Sequence, residues 1–140
     1  MITTPNVRQA VPFFGVANME RSLAFYCNGL GFTLKNSWNP QGHIRWCWLD
    51  LGEASVMLQE YLEGKRPEGT PGLGMSICFQ CQDALAIYRE TRALGLTPDE
   101  PFVSNGLWVT GLTDPDGYEL CFASPTDIPE ETKLSELQPL

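Results

Sequence analysis

The chain repeats itself. The apolar run Val11 to Val16, the helix signal from Asn18 to Leu30 and the ending Leu30-Gly31-Phe32 recur as Ser76 to Cys81, Asp83 to Leu94 and Leu94-Gly95-Leu96. Gly31 and Gly95 stand 64 positions apart, and Val11 and Ser76 stand 65 apart. Recurrence at nearly constant spacing marks two copies of one supersecondary unit, which stack to bury a face that neither copy buries alone. With 140 residues there is material for one ordinary domain, so the copies share a core.

Within each copy the order is strand, helix, then strands. Asn18 is a helix N-cap with Glu20 in the first turn, and Met19, Leu23, Tyr26 and Leu30 follow at helical spacing before the Asn28-Gly29 stop. Phe32 to Trp38, Ile44 to Leu51 and Ser55 to Tyr61 read as strands. In the second copy Asp83 is the cap, Leu85 and Tyr88 open the helical face, and strands follow near Pro101 to Ser104, at Trp108 to Thr113 and at Tyr118 to Ala123. The predicted fold is α+β: two tandem β-α-β-β-β modules whose curved mixed sheet surrounds a cup, with helices outside. Module one spans residues 8–62, a Gly- and Pro-rich linker 63–74, module two 75–124, and an acidic tail 125–140. That tail is expected on the surface, with a short helix around Glu130 to Leu137 or as a poorly ordered terminus.

The Gly52-Glu53 pair predicts a tight hairpin of type II′ that sets Leu51 opposite Ala54. Trp48 then faces Met57, Trp46 faces Gln59 and Ile44 faces Tyr61, all on one side. Cys47, Leu49, Val56 and Leu58 take the other side, a small aliphatic surface suited to lie beneath a helix.

Composition removes several function classes. A formal net charge of -8 argues against a nucleic-acid footprint, and no apolar run approaches the ~20 residues of a membrane span. Met1 to Val16 has neither the basic start nor the long apolar stretch of a secretion signal, so a cytoplasmic setting with reduced thiols is expected. The five cysteines agree, being odd in number. Cys78 and Cys81 have C-x-x-C spacing but lie on a strand, where residues three apart point to opposite faces and do not share a metal.

Three fragments carry a resemblance: Ala10-Val11-Pro12 leading into Asn18-Met19-Glu20-Arg21-Ser22-Leu23-Ala24-Phe25-Tyr26, the ending Leu30-Gly31-Phe32, and the turn Asp114-Pro115-Asp116-Gly117-Tyr118. With the duplication, they resemble the vicinal oxygen chelate superfamily, which includes glyoxalase I, extradiol dioxygenases and the bleomycin-resistance proteins. The resemblance covers roughly residues 8 to 124. It implies four inward strand positions that hold metal ligands in the metal-dependent members, and these fall on Val11, Met57, Ser76 and Cys121. None is a His, Asp or Glu, and the single histidine, His43, lies just beyond the Asn39 to Gly42 turn. A divalent site needs three or four converging N/O donors, so no metal and no cofactor is expected. A soft site of Cys121, Cys78 and Met57 is chemically conceivable and is set aside.

The cup implied by the resemblance is lined by Val11, Phe13, Trp46, Trp48, Met57, Gln59, Tyr61, Ser76, Cys78, Gln80, Trp108, Thr110 and Cys121. Of these, Phe13, Trp46, Trp48, Met57, Gln59, Tyr61, Ser76, Cys78, Trp108 and Cys121 are the expected ligand contacts, and no residue is assigned a catalytic role. Aromatic walls with a few neutral polar groups suit a planar or cationic small molecule. The function implied is that of the metal-free resistance group: an acidic homodimer, either simple or with strands exchanged near Pro12, that sequesters an antibiotic or similar aromatic or cationic ligand unchanged. The alternatives are a glyoxalase-like lyase or isomerase, a dioxygenase-related enzyme, or an interaction domain contacting a partner through Trp38. For a metal-free enzyme the candidate acid–base groups are Glu60 with Glu119, or Tyr61 with Cys121.

Overall fold

Two residues of the same chemistry start the two helices. In a computed structural model describing residues 5–137, the Asn18 side chain accepts from the Arg21 N–H at 3.0 Å, and Asp83 accepts from Ala86 N–H at 3.0 Å. The helices they cap, α1 (Met19–Leu23, continued by a wider turn Ala24–Gly29) and α2 (Ala84–Ala93), end before Gly31 and Gly95. Both glycines adopt positive φ, 87° and 91°, the left-handed conformation that suits glycine at a helix C-terminus.

The strands of module one are β1 (Phe13–Val16), β2 (Thr33–Trp38), β3 (Trp46–Leu51) and β4 (Ala54–Glu60); those of module two are β5 (Ser76–Gln80), β6 (Phe102–Ser104), β7 (Leu107–Thr113) and β8 (Glu119–Pro125). They form two open four-stranded sheets, ordered β1-β4-β3-β2 and β5-β8-β7-β6. In both, the first strand runs parallel to the last and the other pairs are antiparallel. The α+β class and the tandem arrangement are as expected, with two sheets where one continuous sheet was predicted. β1 starts at Phe13 rather than Val11 because Pro12 has no N–H; its carbonyl still accepts from Met57 N–H at 2.8 Å.

One hydrophobic core serves both modules. Phe14, Val16, Cys47, Leu49, Val56 and Leu58 from the first sheet join Phe79, Leu112, Leu120 and Phe122 from the second, around Met19, Phe25 and Tyr26 of the first helix. The Asp114 to Tyr118 turn locks the modules together. Tyr26 donates to the buried Asp114 carboxylate at 2.8 Å, Ala17 N–H donates to Asp116 at 3.0 Å, and Tyr118 stacks on Phe14 at 4.3 Å.

The acidic tail is docked rather than loose, as far as Leu137; residues 1–4 and 138–140 lie outside the described residues. Val103 N–H donates to Thr132 and Glu131 N–H donates to Val103, so the tail runs along the open edge of β6. Glu130 accepts from the N–H groups of Asn105 and Gly106, and a single turn, α3 (Leu134–Leu137), follows. Ile128 and Leu134 pack with Trp108 and Val103. Deleting residues 126–140 is therefore expected to cost roughly 2–4 kcal/mol, from lost apolar burial and an uncovered strand edge. A urea melt within 0.5 kcal/mol of the full chain would refute it.

Candidate functional site

Trp46, Trp48 and Met57 owe their shared face to the Gly52 turn. Gly52 has φ 58° whereas Glu53 does not enter the left-handed region, and the pairs are Leu51 with Ala54, Trp48 with Met57 and Trp46 with Gln59, as predicted. Phe13 pairs with Met57 across β1 and β4, which brings it onto the same face. Tyr61 lies just past β4, with its ring over Gly15 and its hydroxyl 3.5 Å from that of Tyr118. Ile44, expected here, packs against the core instead, because β3 begins only at Trp46 and alternation does not extend back to it.

A bulge around Lys35 adds residues that strict alternation misses. Leu34 pairs with core-facing Leu49, but Asn36 pairs with Trp48 and Trp38 with Trp46. Three tryptophans thus stand on one sheet face, and Trp38 is 59% exposed. Asp50 is a second addition. Its carboxylate accepts from the Trp48 indole at 2.8 Å and from the Ser55 hydroxyl at 2.7 Å, with Lys35 at 3.8 Å. These hydrogen bonds, Ser55 first, hold the Asp50 carboxyl below its ordinary value. Lys35 Nζ also lies 5.7 Å from the centre of the Trp48 ring. The spacing of Trp48 and Asp50, two apart on a strand, was the available signal for this pair.

On the second sheet Ser76 and Cys78 of β5 share a face with Cys121 of β8, Cys78 and Cys121 being direct partners. Gln80 extends the same row and is exposed. The two rows approach at the seam between β1 and β5, where Phe13, Met75, Ser76 and Tyr118 border a cleft of about 190 Å³. Trp46, Trp48 and Gln59 lie beyond it on an open surface, so a single chain presents a face rather than a closed cup.

Trp108 and Thr110 are not on this face. The β7–β8 pairing sets Gly111 opposite Cys121, Thr110 opposite Phe122 and Trp108 opposite Ser124. Both residues are buried; Trp108 packs with Ala84 and Val103, and Thr110 donates to the Ala84 carbonyl at 2.7 Å. The expectation counted a four-residue turn, but Asp114 gathers five. Its Oδ1 accepts from both Asp116 N–H and Tyr118 N–H, at 2.8 and 2.9 Å, and a one-residue change in loop length turns every side chain over.

The remaining acidic candidates have structural partners. Glu60 accepts from Met19 N–H at 2.8 Å, His43 Nε2 lies 2.9 Å away and Arg45 donates at 2.7 Å. Burial raises the Glu60 carboxyl, and these partners together outweigh it and hold it low. Glu119 accepts from the Thr113 hydroxyl at 3.0 Å. Val11, Met57, Ser76 and Cys121 offer an isopropyl, a thioether, a hydroxyl and a thiol, which do not fit a divalent catalytic ion.

The family profile described as Glyoxalase/Bleomycin resistance protein/Dioxygenase superfamily matches residues 8–122. Among solved structures, the chain is similar to TnmS3, an antibiotic binding protein from Streptomyces sp. CB03234, with 20% identity, a TM-score of 0.65, and coverage of 85% of this chain and 98% of that one. It is similar to the bleomycin resistance determinant encoded on transposon Tn5, with 20% identity, a TM-score of 0.68 and coverage of 85% and 98%. SMU.1112c has 21% identity, a TM-score of 0.70 and coverage of 86% and 100%. No curated protein sequence is similar enough to count as a relative. These structural likenesses establish the shared fold.

Proposed function

The chain belongs to the glyoxalase/bleomycin resistance protein/dioxygenase superfamily, and from that premise we propose that it binds an aromatic or cationic small molecule, without a metal and without altering it. The observation that carries this reading is the row of Trp38, Trp46 and Trp48 on one open face, beside Phe13 and Met57. Such a surface stacks on planar rings, each contact contributing on the order of 1 kcal/mol. Lys35 over Trp48 is an internal cation in the position a ligand's cation would take. The net charge of -8 steers cations toward the surface. Asp50 acts as a positioning residue by holding the Trp48 indole. The absence of a His, Asp or Glu at Val11, Met57, Ser76 and Cys121 supports metal independence.

A second copy completes the reading. Phe13 is 54% exposed and Trp38 59%, an apolar surface that a homodimer would cover, with exchange of the segment near Pro12 as one way to do so. Sedimentation equilibrium showing only monomer at micromolar concentration would overturn this part.

Tryptophan fluorescence titrated with planar cationic drugs, in chelator, tests the binding reading. Saturable quenching is expected, with Trp48→Ala weakening it about tenfold. Quenching that needs an added divalent metal would refute metal independence. No saturable quenching by any planar aromatic ligand would reject the ligand class.

A further inference from the structure

Cys78 and Cys121 are directly opposite partners on the parallel strands β5 and β8, so their side chains leave one face side by side. Cys78 is exposed and Cys121 half-buried, whereas Cys47 is fully buried. The Gln80 amide donates to Cys78 Sγ at 3.4 Å. Cys81, the other half of the C-x-x-C spacing, turns away and packs against the core.

Adjacent strands run about 4.8 Å apart, so two directly opposed thiols lie within reach of one bridging atom. The same spacing falls within the Cα separation of about 4.4–6.8 Å that a disulfide takes, so the reduced pair is the form that offers two thiols. The surroundings also disfavour two free thiolates: burial, and then the neighbouring Cys78, push the Cys121 thiol up to about 12. A soft electrophile that replaces both protons removes that conflict.

We propose that Cys78 and Cys121 form a two-thiol site for a soft, thiophilic centre that bonds both sulfurs at once, the class to which trivalent arsenicals belong. With an arsenical R–As=O, two As–S bonds form and the As=O bond breaks. The two thiol protons leave with the oxygen as one water, and arsenic stays trivalent, so no oxidant or reductant is consumed. The site does not depend on aromatic-ligand binding by the tryptophan face.

Phenylarsine oxide is the probe, read by intact mass on the reduced, full-length protein in excess glutathione. One adduct per chain is expected, carrying one phenylarsenic group at the expense of two hydrogens. It should persist against the monothiol and be displaced by a dithiol. C78S and C121S should each weaken capture by at least about a hundredfold, since the second sulfur binds intramolecularly, while C81S and C27S retain it. Cys78 is exposed, so C78S and C78A should keep the parental melting temperature, which separates lost chemistry from lost fold. Absence of an adduct on the parent, or an adduct of undiminished strength on either C78S or C121S, would overturn the site.

Discussion

Trp108→Ala is expected to lower the stability of the chain by about 3–5 kcal/mol, the cost of emptying a large buried site. Trp108 is 6% exposed and fills the space between β7 and the start of α2, with Ala84, Val103 and Leu134 around it. Trp48→Ala removes the same side chain from a half-exposed position and should cost far less stability while weakening ligand binding. The two variants thus dissociate core from binding face. Urea denaturation of both, beside a fluorescence titration of the folded proteins, is the measurement. A loss below 1 kcal/mol for Trp108→Ala would mean that this tryptophan does not pack beneath α2.

Asp114→Ala should be comparably damaging, at about 3–5 kcal/mol, because it leaves buried donors unsatisfied. It leaves the Tyr26 hydroxyl and the Asp116 and Tyr118 N–H groups without their acceptor, at the joint between the modules. Tyr26→Phe removes only one donor and should cost about 1.5–3 kcal/mol. The carboxyl also has a pH signature. Burial raises it above the ordinary aspartate value, against the hydrogen bonds from Tyr118 N–H and Tyr26. Folding therefore favours its protonated form. That contribution is fully present below the ordinary value of about 3.9 and is lost as pH rises through the raised one. Glu60 works in the opposite sense: its lowered value contributes stability above the ordinary glutamate range, lost as pH falls through the lowered value. Asp114→Asn keeps an acceptor for the two N–H groups and cannot ionise. Its stability relative to the parent should climb as pH rises from about 4 through the raised value. A pH-independent difference between the two would refute the assignment.

Local chemistry made much of this molecule legible. Asn18 and Asp83 cap their helices through their own side chains, and Gly52 sets the β3–β4 register, so Trp46, Trp48, Met57 and Gln59 could be placed together from order and alternation alone. The repeated Leu-Gly endings marked equivalent helix ends. These features are encoded within a few residues, where propensity and turn geometry act with little competition.

What escaped that reading depends on groups far apart in the chain or on a change of one residue in register. Asp114 gathers five residues into a turn that looks like four, and Trp108 moves from the expected cup to the core. The bulge around Lys35 carries Trp38 onto the face of Trp46 and Trp48, and the pairing of β5 with β8 sets Cys78 beside Cys121 across 43 positions. The acidic tail finds its place only because β6 offers an open edge and Trp108 an apolar neighbour. The amino-acid sequence by itself determined two β-α-β-β-β modules, their helix boundaries and one aromatic hairpin face, because each follows from local periodicity and capping. Tertiary structure alone decided which tryptophans are core and which are exposed, and which cysteines are neighbours: alternation makes every face assignment hinge on a single residue of register, and register is settled by contacts that the linear chain does not display.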